Sequence, residues 1–196
     1  MLDARNETMS TTDSGRQLTY TDFLAFPDDG QRHELLGGVH VVSAAPLAVH
    51  QVALTAILVS LDAQISGTAR GIVAPAPLAV RLSDEDGVQP DIVVVLRGSR
   101  AQVRRRDVDG PPDLVVEILS PSTRRLDLGL KRDAYERLGV GEYWVVDLDA
   151  RQVRRFVRTG DRFLDATVHT DRVRLAALPD VAVELGPVWA RVDDLD

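Results

Sequence analysis

The alternation of apolar and polar positions divides the chain into short strands and a few helices. Thr19 followed by Asp22 reads as a helix-start capping box, with Phe23, Leu24 and Phe26 forming a short apolar face that ends at Pro27. Residues 33–36 and 39–43 read as two strands joined by a Gly37-Gly38 turn. Pro46 precedes a long helix over about 50–65, closed by Gly67. Its apolar residues run nearly all round, which predicts burial on more than one side. Residues 72–82 predict one strand, interrupted by Pro75 and Pro77 and therefore near an edge or bulged at its start. Pro90-Asp91 opens the apolar run 92–96, and Pro111-Pro112 precedes another over 113–120. The polar turn Pro121-Ser122-Thr123 leads to a helix ending near Leu138, where Gly139 suits a left-handed cap. Residues 142–148 and 152–158 predict a hairpin, followed by one or two short strands and a final turn or helix around Trp189. Neither a repeat nor a linker divides the pattern. Continuous apolar strands covered by helices predict an α/β or α+β layered fold. Residues 1–17 are polar without an apolar period and read as a loose leader, and 18–196 as one domain.

Two carboxylates interrupt this pattern where it is most apolar. Glu117 stands inside Leu114-Val115-Val116-Glu117-Ile118-Leu119, a strand apolar on both faces and so central in its sheet. Burying its charge unpaired costs roughly several kcal/mol. Asp91 stands at the head of the other apolar strand and poses the same problem. If the strands are neighbours, both acids converge and offer oxygen ligands to a hard divalent cation. The alternative is that Asp91 caps a strand end in water and Glu117 pairs with an arginine. Lys131 narrows the choice, because Lys131, Ala134, Tyr135 and Leu138 lie on one helical stripe facing the sheet, while Arg132, Glu136 and Arg137 face outward. An inward ammonium beside two inward carboxylates is either a structural ion pair or a set suited to phosphodiester hydrolysis.

Composition sharpens this. Of 23 basic residues, 22 are arginine and Lys131 is the one lysine, so its position is a candidate for needing a compact ammonium. The net charge of −7 and a pI near 5.1 argue against a bulk electrostatic grip on nucleic acid or an anionic membrane. Local patches remain: Arg97, Arg100, Arg104, Arg105 and Arg106 fall in one loop, and Arg124 and Arg125 in the turn after Glu117. They are candidate phosphate contacts or simply a solvated face. Absence of cysteine excludes disulfides and thiolate chemistry and fits a cytoplasmic protein. The densest apolar stretch, 52–61, is about half the roughly 20 residues of a membrane helix, so no membrane association is expected.

The strings HELLGG, QPDIVVV, PPDLVVEILSPST and LKRDAYERLGVGEYWVVD, in this order, resemble the Uma-type family of candidate restriction endonucleases, within the PD-(D/E)XK nuclease superfamily. The resemblance runs from about Thr19 to near the C-terminus. It implies a restriction-endonuclease-like core, a mixed β-sheet flanked by helices. Asp91 matches the motif aspartate, Glu117 the second acid, and Glu34 an upstream acid that can join the metal site. Leu119 stands where the motif lysine is expected, and the resemblance implies a lysine moved to the next helix, here Lys131. It further implies Mg²⁺, with Mn²⁺ as a substitute, held by Asp91, Glu117 and the Ile118 carbonyl. The implied reaction is hydrolysis of DNA phosphodiester bonds, with Lys131 orienting or deprotonating water. A homodimer is implied as well, through an edge strand or the apolar segment around Val188-Trp189. The rival reading is a nuclease-fold binding or assembly module that no longer cuts. Tyr135 and Ser120 are lesser candidates, read as a core residue with its hydroxyl at the rim and as a turn starter. His50 is read as capping or packing, Tyr143 and Trp144 as core, and His33, His40 and His169 show no metal spacing.

Overall fold

The apolar strands order themselves into sheets whose two faces are covered by different partners. The structure is a computed structural model describing residues 8–10 and 16–195. In chain order its elements are β1 (Thr8–Ser10), α1 (Tyr20–Phe23), β2 (Arg32–Leu36), β3 (Val39–Ser43), α2 (Ala48–Gln64), β4 (Gly71–Pro75), β5 (Ala79–Arg81), β6 (Gly87–Val88), β7 (Ile92–Leu96), β8 (Gln102–Val103), β9 (Asp107–Asp109) and β10 (Leu114–Ile118). A helical segment follows: α3 (Arg124–Leu126), a π-helical turn (Asp127–Lys131) and α4 (Arg132–Leu138). Then come β11 (Glu142–Asp147), β12 (Gln152–Thr159), β13 (Arg162–Phe163), β14 (Thr167–His169), β15 (Arg172–Arg174), β16 (Ala182–Glu184) and α5 (Gly186–Asp193).

The central sheet runs β13-β12-β11-β10-β7-β4, with β14 also on β12. It is mixed: β10 and β11 are parallel, β7 and β12 antiparallel to their neighbours. A parallel pair needs a crossover, and α3–α4 supply it. Period-two alternation assigns the faces. Ile92, Val94, Leu114, Val116 and Ile118 pack under α2 and α5, whereas Val93, Val95 and Val115 meet α4 and the second sheet. That second sheet has the order β1-β3-β2-β6-β5-β9-β8. Glu117 shares the parity of Val115 and therefore faces α4 and β2. The expected mixed sheet flanked by helices is what the chain forms.

Some expectations need correction. Residues 72–82 are two strands in two sheets, because Pro75 and Pro77 lack N–H donors and the chain crosses between sheets there. The long helix buries one face, through His50, Ala53, Leu54, Ile57 and Leu61, while Val59 is 57% exposed. Val188 and Trp189 are buried within the chain against α2, so they offer no free dimer surface. Of the residues read as a loose leader, 1–7 and 11–15 lie outside the described ones, and β1 pairs with β3. Among the described residues no helix is long and apolar enough to cross a membrane.

Candidate active site

Antiparallel pairing of β7 with β10 puts Val116 opposite Ile92, so Asp91 and Glu117 fall beside each other at one end of the central sheet. The backbone N–H of Asp91 points to Glu117 Oε2 at 3.4 Å, and both residues are about 1% exposed. Asp91 Oδ2 accepts the N–H of Ile118 at 2.7 Å and lies 3.0 Å from His50 Nε2. Asp91 Oδ1 lies 2.8 Å from Arg32 Nη2, yet is not aligned to accept a hydrogen bond from it. Glu117 Oε1 accepts from Lys131 Nζ at 2.9 Å and from the Tyr135 hydroxyl at 2.8 Å. Its other oxygen faces Arg32 Nη1 at 3.9 Å.

Lys131 is buried among carboxylates, with Glu34 Oε2 at 2.8 Å, Glu117 at 2.9 Å and Asp127 Oδ1 at 3.6 Å. The π-helical turn places Asp127 and Lys131, four residues apart, inside together. Gly139, in the left-handed conformation at φ 93°, ends α4 as expected and lets the chain turn back into β11. Glu34 is held in β2, its Oε1 accepting the N–H of Gln89 at 2.8 Å.

Four buried carboxylates, Glu34, Asp91, Glu117 and Asp127, therefore face two strong cations, Arg32 and Lys131. The imbalance is visible in the titration of the acids. Burial pushes Glu117 up to about 8, with Lys131 opposing and the charges of Asp91, Asp127 and Glu34 adding. Burial also raises Asp127 to about 6. For Asp91 the burial penalty is outweighed by the hydrogen bond with His50 and the charge of Arg32, which hold it near 2. Burial disfavours the Lys131 ammonium, but Glu117, Glu34 and Asp127 outweigh it and keep it charged. Asp91, Glu117, Asp127, Arg32 and Lys131 line a cavity of about 20 Å³, with His50, Pro46, Ser120 and Thr123 also in its wall. That is room for one water-sized particle.

The structure thus brings Asp91, Glu117, Lys131 and Glu34 together, with Ile118 beside them. Sequence reasoning missed Arg32 and Asp127 and gave His50 only a capping or packing duty. Tyr135 is fully buried rather than at a rim, because its hydroxyl finds Glu117. Ser120 does start the turn, bonding Ser122 and Thr123, and it also lines the cavity. Tyr143 and Trp144 are core. The arginines lie elsewhere. Arg104 pairs with Asp109, Arg105 and Arg106 are exposed in the β8–β9 turn, and Arg125 is exposed. Arg124 pairs with Asp147 at 2.7 Å on the wall of a 1090 Å³ groove that adjoins the site through His50 and Ser120.

Comparison with known proteins supplies a context. The Uma2 family model, described as "Putative restriction endonuclease", matches residues 20–186. A crystal structure from Anabaena variabilis, described as "a putative nuclease belonging to DUF820", is 15% identical, with a TM-score of 0.75. The match covers 89% of this chain and 99% of that one, and at this identity it speaks for the fold. No curated protein matches the chain.

Proposed function

Because this chain belongs to the Uma2 family, we propose that it is a Mg²⁺-dependent endonuclease hydrolysing DNA phosphodiester bonds, with Mn²⁺ able to substitute. The observation that carries the reading is the set of charges at the site: three buried carboxylates, Asp91, Glu117 and Asp127, line a cavity for one particle with Arg32 and Lys131, and Glu34 adds a fourth carboxylate against Lys131. An all-oxygen donor set with surplus negative charge suits a hard dication. Asp91, Glu117 and the Ile118 carbonyl are the groups to hold it. Bound there, it would supply Lewis-acid stabilisation of charge on the phosphate.

The chain's own residues divide the remaining work. His50 and the Ile118 N–H fix the Asp91 carboxylate from one side. Tyr135 and Lys131 fix Glu117 from the other. Lys131, kept protonated by its carboxylate neighbours, acts as a donor that orients water and offsets charge developing on phosphate oxygens. Proton abstraction by its amine is disfavoured by the same neighbours. Glu34 and Asp127 hold the ammonium in place.

Two observations favour the rival, a nuclease-fold binding module. Arg32 already neutralises Asp91, and among the described residues no three His, Asp or Glu side chains surround a ready-made metal position. The deciding experiment is nicking of supercoiled plasmid with Mg²⁺ or Mn²⁺, wild type beside Glu117→Gln. Metal-dependent nicking by the wild type alone is the expected result. A folded wild type that neither nicks nor binds either ion overturns the enzyme reading.

A further inference from the structure

Two cations serve the buried carboxylates, and they are held very differently. Lys131 contacts three acids, within 2.8, 2.9 and 3.6 Å, and its side chain is 2% exposed. Arg32 has one close partner, Asp91 at 2.8 Å, and a distant one, Glu117 at 3.9 Å. Its side chain is 16% exposed, and it stands on the first residue of β2 rather than in a strand interior. Arg32 also lines two spaces at once: the 20 Å³ cavity and a 540 Å³ cleft on its other side, bordered by Phe26, Gln31 and Gln89. Pro46 is the other residue that lines both spaces.

We propose that Arg32 is an exchangeable counter-ion and gate: it occupies the cation position between Asp91 and Glu117, and turns toward the 540 Å³ cleft when a dication binds there. This rests on the metal-dependent reading above. Three physical points carry it. A guanidinium and a dication at the same pair of carboxylates, shielded from water, repel strongly, so the two cannot share the place. The weaker-held, partly exposed cation yields, and that is Arg32. The cavity as it stands is also too small for a phosphate with its ester carbons, and swinging Arg32 outward joins it to the cleft. A planar, permanently charged fork standing at that mouth is suited to receive an incoming phosphate.

The test is Mn²⁺ binding by the full chain, measured by calorimetry, for wild type, Arg32→Gln, Arg32→Lys and Glu117→Gln, with a thermal melt of each with and without Mn²⁺. Removing the competing charge in Arg32→Gln is expected to tighten Mn²⁺ binding about tenfold or more. Without metal its melting temperature falls below wild type, because Asp91 loses its cation. Mn²⁺ then raises that temperature by more than it raises the wild type's. Glu117→Gln is expected to abolish binding. Should Arg32→Gln fail to fold, Arg32→Lys carries the comparison, since a single ammonium lacks the fork and should compete less well. Binding that is equal or weaker in the folded Arg32 variant, with wild-type binding intact, overturns the gate and leaves the nuclease reading standing. Absence of Mn²⁺ binding in every form overturns both.

Discussion

Glu117 concentrates the chemistry of the site because its carboxylate is buried where three other acids compete for two cations. Its pKa, pushed up to about 8, means that the folded chain holds this proton more tightly than the unfolded chain, whose glutamate titrates at 4.5. Stability contributed by the protonated form is therefore complete below the unfolded value and declines as pH climbs toward 8. Asp127, raised from 3.8 to about 6, acts in the same direction over a lower window. Asp91, lowered from 3.8 to about 2, works oppositely and weakens the fold only as pH falls through that range. The metal-free protein is expected to melt at a higher temperature near pH 5 than near pH 8, and Glu117→Gln to flatten the upper part of the profile. A melting temperature that instead climbs from pH 5 to 8 would refute this charge balance. Asp91, Glu117 and Lys131 were readable from sequence because a charge within an apolar period has few inexpensive explanations. Arg32, His50 and Asp127 were not, since each sits at an element boundary where solvation is the ordinary outcome.

At the scale of elements, the segment from Arg124 to Leu138 decides whether Lys131 reaches Glu117. Its C-terminal stop was legible: Gly139 followed by Val140 is a left-handed cap, and the observed φ is 93°. The π-helical turn was not, because a single wide turn leaves no sequence period to detect. Two glycines here should respond in opposite ways. Gly139→Ala forces a side chain into a left-handed backbone and is expected to lose about 1 kcal/mol. Gly129 lies inside the π-helical turn without positive φ, and a methyl group built there meets nothing within 4 Å. Gly129→Ala should therefore gain about 0.4–1 kcal/mol through the unfolded state. Urea unfolding midpoints measure both, and a loss at Gly129 would show that the turn needs glycine for another reason. The strand over 72–82 illustrates the converse limit. Its apolar content was read correctly, but alternation alone does not say that a chain leaves one sheet for another.

For the whole molecule, a net charge of −7 has to coexist with any grip on a polyanion. Exposed arginines in the β8–β9 turn are one local counterweight, although Arg104 is already paired with Asp109. If Arg104, Arg105 and Arg106 bind phosphate, replacing all three by glutamine should flatten the salt dependence of DNA binding, by about 0.9 in log–log slope for each phosphate no longer neutralised. An unchanged slope removes the turn from the interface. The family and the mixed layered sheet were within reach of the sequence, since ordered motifs and apolar strands are local properties of the chain. So were three members of the site, because burying a charge is costly enough to mark them wherever the pattern is apolar. Pairing of β7 with β10, the approach of β2 and the wide turn before α4 decided the rest. Only that packing shows that Glu34 and Asp127 hold the lysine, that His50 meets Asp91, and that an arginine stands between the two central acids. Apart from Asp127 and Lys131, four residues apart, such partners are distant along the chain, 41 positions in the case of His50 and Asp91. Their energies depend on distances and burial that no stretch of sequence encodes separately.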